Sequence, residues 1–436
     1  MNLREIALKL LIDYEECGKY VNLSLNSHIA DGLSSDDRAR LTALLYTTVE
    51  HKLTYDYYIA ALSGRGIDKI STHTRCVLRL GLCQIVDMDN IPDFAAVNET
   101  VKLAKNPGER SFVNGVLRRA AREKDSLPLP KKEKNAARYY SVLYSLPLAT
   151  VKHFIAELGE DEAVKLFEAF NSEPPTSLTV NTLKISVDDF VTELQKQGLS
   201  ATRVKFSPIT VRLDKPVNPK NIKGFSDGWF YVQDEASALS AIVLAPGSGD
   251  LMIDTCSAPG GKSFASAILS QDGAEIHSFD IHESKLSLIT DTASRLGLKS
   301  VNVSVRDALT PDENLIGKAD KLLCDVPCSG LGVIAKKPDL RYKDLSAAED
   351  LTSLQLDILT ASSQYLKAGG ELVYSTCTLN ARENAGVVLA FLEANPDFSL
   401  VDFSVGSLKS DNGMLTLWPH IHGTDGFFIS KLRKNK

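Results

Sequence analysis

At 436 residues the chain has room for two or three domains, and its apolar (44%) and charged (24%) fractions are those of an ordinary globular protein rather than a disordered one. A formal net charge of -6 excludes an indiscriminate polyanion binder, and seven cysteines, an odd number, exclude a disulfide framework. No run approaches membrane-spanning length, and MNLREIALKLL has charges inside its apolar run, so a cytoplasmic protein with no membrane partner is expected, as a monomer. Residues 1–126 read as helices: Ile6, Leu10 and Leu11, then Leu41, Leu44, Leu45 and Val49, then Val77, Leu78 and Ile85 recur at helical spacing. A Pro- and Lys-rich linker is predicted over 127–138. From Lys102 to Arg138 there are eleven Lys or Arg against four Asp or Glu, a local basic patch in an acidic chain. Residues 139–227 are predicted as a small α+β domain resembling a ferredoxin or RNA-recognition fold, with a strand over 177–183, a helix over 187–197 and strands over 201–206 and 209–213. From 228 to 436 strand and helix alternate, the mark of a parallel sheet, opening with a short strand at Trp229–Val232.

The stretch LMIDTCSAPGGKS, Leu251 to Ser263, reads as strand, tight turn and helix. It lacks the G-x-G-x-x-G spacing of a dinucleotide fold. It ends like a phosphate-cradling loop at Gly261-Lys262-Ser263, but Cys256 stands where the first glycine belongs and Pro259 obstructs an amide nest. Asp254, Asp280, Asp307 and Asp325 fall at or just beyond the ends of successive predicted strands, where open α/β sheets bind ligands. Carboxylates gathered there suit a ligand with ribose hydroxyls, an adenine amine and a positive charge, and S-adenosyl-L-methionine fits that description.

Two further strand ends carry cysteines, Cys328 in DVPC and Cys377 in STCT, so both thiols are predicted to face the methyl donor across one crevice. A thiol serves methyl transfer when the acceptor is C5 of a cytosine, a weak nucleophile that becomes enamine-like once a thiolate has added at C6. An acid at N3 offsets the charge entering the ring, the task predicted for Asp325. Cys324 is predicted as a core residue, and the cysteine spacing argues against a metal site.

The words DRARLTALLYTTVEHKLTYDYYI, VLRLGLCQI, IPDFAAVNETVKLAK and SFVNGVLRRAAR resemble the RNA-binding domain of the antitermination factor NusB. DTCSAPGGKS, DVPCSGLGVI, LVYSTCTLNARENAGVV and DGFF, downstream of them, resemble the bacterial 16S rRNA cytosine-C5 methyltransferase family known as Fmu or Sun. The likeness covers nearly the whole chain. It implies an all-α NusB-like bundle, a small α+β domain and an α/β Rossmann-like class I methyltransferase. It also implies ribosomal RNA of the small subunit as partner and S-adenosyl-L-methionine as cofactor. Cys377 is implied as nucleophile, Cys328 as an aid to product release, and Cys256, Ser257, Ala258, Pro259, Gly260, Gly261 and Lys262 as the cofactor loop. Asp280 is implied at the ribose, Asp307 near adenine and Asp325 beside the reacting groups. Expected RNA contacts are Arg38, Arg118, Arg119 and Arg122 in the helical domain and Lys336, Lys337 and Arg341 after DVPC. Thr179 stands where the family usually carries Arg. The competing readings are a tRNA substrate, and an inactive assembly factor that has kept the fold.

Overall fold

The computed structural model describes residues 2–18, 32–343 and 348–435. The chain divides into two compact units, Met1–Ser172 with Ile334–Lys343, and Glu173–Val333 with Asp344–Lys436.

The first unit is helical. Helix α1 (Leu3–Cys17) opens with a capping box in which Asn2 and Glu5 exchange side-chain and amide hydrogen bonds. Ser34 caps α2 (Ser35–Glu50), whose first turn carries Asp36 and Asp37 at the positive end of the helix. After α3 (Lys52–Ser63), the apolar helix α4 (Thr72–Val86) is buried along most of its length against α1, α2, α3, α5 (Asp93–Val101) and α6 (Pro107–Arg122). Its one buried cation, Arg79, is neutralised by Glu15 at 3.1 Å and Asp56 at 2.7 Å.

Helices α7 (Ala136–Leu143), α8 (Leu148–Leu158) and α9 (Glu160–Phe170) belong to this same unit, whereas the sequence pattern started the next domain at residue 139. The reason is packing: Tyr140, Phe154, Phe167 and Phe170 bury one aromatic cluster among the three helices, and the Leu53 amide donates to Ser145 Oγ.

The second unit begins with a small antiparallel sheet. Its order is β2 (Ala201–Arg203), β3 (Thr210–Leu213), β1 (Thr176–Val180), β4 (Phe230–Val232), and α10 (Val187–Lys196) supplies Phe190 and Leu194 to its core. Strand β4 is thus a correction: it pairs antiparallel with β1, Leu178 opposite Val232, and does not open the parallel sheet.

The large sheet follows α11 (Glu235–Leu244). In chain order it contains β5 (Leu251–Asp254), α12 (Gly261–Leu269), β6 (Glu275–Asp280), α13 (Glu283–Leu296), β7 (Val301–Val305), β8 (Ala319–Asp325), α14 (Ala348–Ser363), β9 (Leu366–Thr376), α15 (Val387–Ala394) and β10 (Phe398–Leu400). The hairpin β11 (Ser404–Val405) and β12 (Leu408–Lys409) precedes β13 (Met414–Leu417) and β14 (Phe427–Lys434). Spatial order is β10-β14-β9-β8-β5-β6-β7, with β13 also on β14; β7 through β9 run parallel and β14 returns antiparallel to β9.

Successive strand residues go to opposite faces. Met252, Ile276, Leu323 and Val373 pack with Leu239, Phe264 and Ile289 on one side, while Ile253, Leu322, Cys324 and Tyr374 pack with Leu359 and Phe391 on the other. Burial on both faces explains the nearly continuous apolar strands, each fully buried Leu, Ile or Phe contributing roughly 1.5–3 kcal/mol. Strand order reverses between β5 and β8, which opens a crevice at their carboxyl ends.

Candidate active site

The turn from β5 into α12 is built so that only glycine fits at its tip. Gly260 has φ of 100°, and a Cβ there would meet the Phe264 ring at 2.4 Å. Tyr231, from the small sheet, braces the turn by donating to the Gly261 carbonyl at 2.9 Å. Gln233 lies against the same glycine and takes hydrogen bonds from Tyr231 and Thr179. Thr179 is fully buried in this network, so it packs beneath the turn.

The strand-end acids differ in environment. Asp254 is fully buried and accepts from Ser263 Oγ at 2.6 Å, and burial pushes its carboxyl up to about 7. Asp280 accepts the Ala258 amide at 3.1 Å and the His282 amide at 2.9 Å, which ties β6 to the glycine turn. Asp307 is half-buried just past β7 and caps the Leu309 amide at 3.0 Å. Asp325, at the end of β8, holds Lys262 Nζ at 2.5 Å and accepts from Ser375 Oγ at 2.8 Å, so a cation and a carboxylate meet across the point of strand reversal. Phe427 lies under the same ammonium, 5.3 Å from its ring centre.

Beside this pair, Cys328 Sγ and Cys377 Sγ are 3.3 Å apart, both partly exposed and neither in a disulfide. Parallel pairing of β8 with β9, Asp325 opposite Ser375, puts the two cysteine loops side by side. Three backbone segments then close on each other. The Gly332 amide donates to the Cys377 carbonyl at 3.0 Å and the Gly426 amide to the Gly332 carbonyl at 2.8 Å, and a Cβ on residue 332 would lie 1.9 Å from the Gly426 oxygen. The hydrogen bond with Cys377, with burial adding to it, pushes the Cys328 thiol well up, so its proton stays on. Burial also raises Cys256, and takes Cys324, fully buried, to about 12.

The geometry thus brings Lys262, Asp325, Cys328 and Cys377 together and ties Asp280 to the turn. Residues beyond the expected set also belong here: Glu383, Asn380, Asn384, Ser329 and Thr378 join the two cysteine loops. For Asn380, Glu383 and Asn384 the signal in the sequence was the mostly polar stretch Asn380–Asn384, one residue past STCT and before an otherwise apolar helix.

Among the expected RNA contacts, Arg38, Arg118, Arg119 and Arg122 are exposed on α2 and α6, Lys337 is exposed and Lys336 half-buried. Arg341 is a correction, being fully buried in the helical unit. Its guanidinium donates to Asn171 Oδ1 at 3.0 Å, to the carbonyls of Glu50, Tyr144 and Phe170 at 3.2 Å, and to the Glu50 carboxylate at 3.3 Å. No phosphate reaches a group so enclosed.

A cofactor with hydroxyls and an amine suits the turn. Ser257 Oγ is buried with no hydrogen-bond partner among the described residues, the glycines leave the backbone open to close approach, and Asp280 and Asp307 keep free lone pairs. A parallel sheet reversed at β5 and β8, an antiparallel last strand and this acid-flanked turn define an S-adenosylmethionine-dependent methyltransferase.

Comparison with known proteins narrows the class. The models for "16S rRNA methyltransferase RsmB/F", the NusB family and the RsmF/B-like ferredoxin-like domain match residues 241–433, 1–122 and 147–220. The probable ribosomal RNA small subunit methyltransferase B of Bacillus subtilis is 35% identical, and ribosomal RNA small subunit methyltransferase B of Proteus mirabilis 31%, each over 99% of both chains. The crystal structure of PH0851 is similar over 100% of this chain and 99% of its own, with TM-score 0.82 and 27% identity. That of NSun6 from Pyrococcus horikoshii with SFG covers 65% of this chain and 97% of its own, with TM-score 0.59 and 27% identity. The chain belongs to the RsmB/F family of rRNA methyltransferases.

Proposed function

We propose that this chain methylates C5 of a cytosine in 16S ribosomal RNA through a transient bond between Cys377 Sγ and C6 of the base. The observation that carries the reading is the thiol pair at 3.3 Å beside the Lys262–Asp325 ion pair, in the crevice of a methyltransferase sheet. Names of the curated relatives support ribosomal RNA of the small subunit as substrate. Exposed Arg38, Arg118, Arg119, Arg122 and Lys337, with Lys336, contact its phosphates.

Cys256 to Lys262 and the carboxylates of Asp280 and Asp307 hold the cofactor. Bound S-adenosyl-L-methionine supplies an electrophilic methyl group. The target base is turned out of its helix to reach the crevice. Cys328 keeps its proton and hydrogen-bonds Cys377 Sγ, which favours the thiolate there both as nucleophile and as leaving group. Negative charge enters the ring as the C6–S bond forms. Asp325 accepts hydrogen bonds from Lys262 Nζ and Ser375 Oγ, and the proton that N3 needs is drawn from Lys262 through it. Once C5 carries the methyl group its proton passes to solvent water, the electron pair of that C–H bond re-forms the C5–C6 double bond, and the sulfur departs as the Cys377 thiolate.

Cys377→Ala is expected to abolish methyl transfer to RNA while leaving S-adenosyl-L-methionine affinity within about twofold by calorimetry. Cys328→Ala is expected to accumulate a protein–RNA adduct on a denaturing gel. Turnover by the first variant, or a clean gel from the second, overturns the assignment of that cysteine.

A further inference from the structure

The carboxylate of Glu383 is fully enclosed, which costs several kcal/mol unless every lone pair finds a donor. Its donors come from three parts of the chain. Oε2 accepts the Ser329 amide at 2.8 Å and Gln355 Nε2 at 3.0 Å, and Oε1 accepts Asn380 Nδ2 at 2.9 Å. Ser329 immediately follows Cys328, and Asn380 is three residues beyond Cys377. Gln355, on α14, also donates to the Pro327 carbonyl at 2.9 Å. The peptide groups on both sides of Cys328 are therefore held from one carboxylate, directly through Ser329 and through Gln355 to Pro327. Glu383 itself sits in a single turn of π-helix, Arg382–Gly386, a widened turn that is rare overall and frequent at functional sites. Ser329 Oγ and Thr378 Oγ1, 2.6 Å apart, join the same two loops a second time.

We propose that Glu383 is the positioning residue of the release half-reaction, fixing the Cys328 loop so that its thiol stays within hydrogen-bond reach of Cys377. The inference rests on the release role given to Cys328 above. Packing alone does not call for a charge at this point, because glutamine fills the same space without the cost of desolvating an ion. What only a carboxylate offers is two acceptor oxygens and no donor. In Glu383→Gln one oxygen becomes NH₂ and faces an N–H, so a donor is stranded and the Cys328 loop moves out of register. Cys377 shares the junction through Asn380, but it follows directly on β9, which pairing with β8 and β14 holds in place, so its attack on the base continues. The variant stalls after addition and methyl transfer.

The test is a time course of full-length enzyme with S-adenosyl-L-methionine and an unmodified 16S rRNA transcript, resolved on denaturing gels, for wild type, Cys328→Ala and Glu383→Gln. Calorimetry with the cofactor reads whether each variant is folded. Glu383→Gln is expected to bind cofactor as wild type does, to lose roughly tenfold or more in turnover, and to accumulate adduct as Cys328→Ala does. A purely structural loss would lower turnover without the slow-migrating band. Should Glu383→Gln lose cofactor binding, Glu383→Asp is measured in its place, since it keeps charge and both oxygens but withdraws them by one methylene. Adduct in Cys328→Ala with none in the folded Glu383 variant overturns the positioning role alone. No adduct in Cys328→Ala overturns the release role on which it stands.

Discussion

Two cations, Arg341 buried in the helical unit and Lys262 half-buried in the methyltransferase unit, show how a charged side chain becomes structure or chemistry. Arg341 spends its two terminal nitrogens on three backbone carbonyls, an asparagine and a carboxylate, and is fully enclosed. Lys262 has Asp325 as its ion-pair partner and an aromatic face below, at the mouth of a crevice where Asp325 is itself partly exposed. Terminal N–H donors taken up by main-chain carbonyls inside the unit leave that cation little to give a ligand. A single carboxylate partner leaves the Lys262 ammonium able to shift charge when a substrate arrives.

The contrast breaks most sharply at Lys262. Lys262→Met is expected to cut methyl transfer roughly 10²–10⁴-fold while moving the melting temperature by only a few degrees. Activity near wild type would remove the Lys262–Asp325 pair from the chemistry. Arg341→Met should do the reverse, costing the helical unit about 3–5 kcal/mol, read by chemical denaturation, with cofactor affinity unchanged. Weakened RNA binding at unchanged stability would restore Arg341 as a phosphate contact. A smaller effect sharpens the comparison within the crevice. The folded-state carboxyl of Asp254 is raised from 3.8 to about 7, so the native chain binds its proton more tightly than the unfolded one. Its contribution is present at acidic pH and is lost as pH rises through that interval. Asp254→Asn, neutral throughout, should gain about 1–3 kcal/mol relative to wild type between pH 5 and pH 8. A pH-independent difference in melting temperature between the two proteins would contradict it.

Much of this was legible in the sequence where the information is local. Asp254, Asp280 and Asp325 end apolar runs, and Cys328 and Cys377 follow strand-end motifs, so topology alone gathers them. Arg341 was misread because a basic residue near a loop looks the same whether exposed or buried. Its acceptors, at Glu50, Tyr144, Phe170 and Asn171, lie 170 to 291 residues away in the chain. Strand β4, three residues long, carries too little periodicity to say which sheet it joins. The importance of Glu383 was hidden for a related reason. A lone acid at the start of an apolar helix reads as a first-turn charge, and only the fold brings Ser329, Gln355 and Asn380 to it.

The ten residues Ile334–Lys343 leave the methyltransferase portion of the chain and are housed by the helical one before the polypeptide goes back. A fragment starting at residue 173 would carry that excursion without its host, baring Leu340 and Arg341, and a fragment ending at residue 172 would leave Glu50 without its counter-ion. Neither half is an independent module in the sense of a bead on a string. Surgery on this protein, by truncation or by transplanting its helical part onto another enzyme, has to cut at three places rather than one.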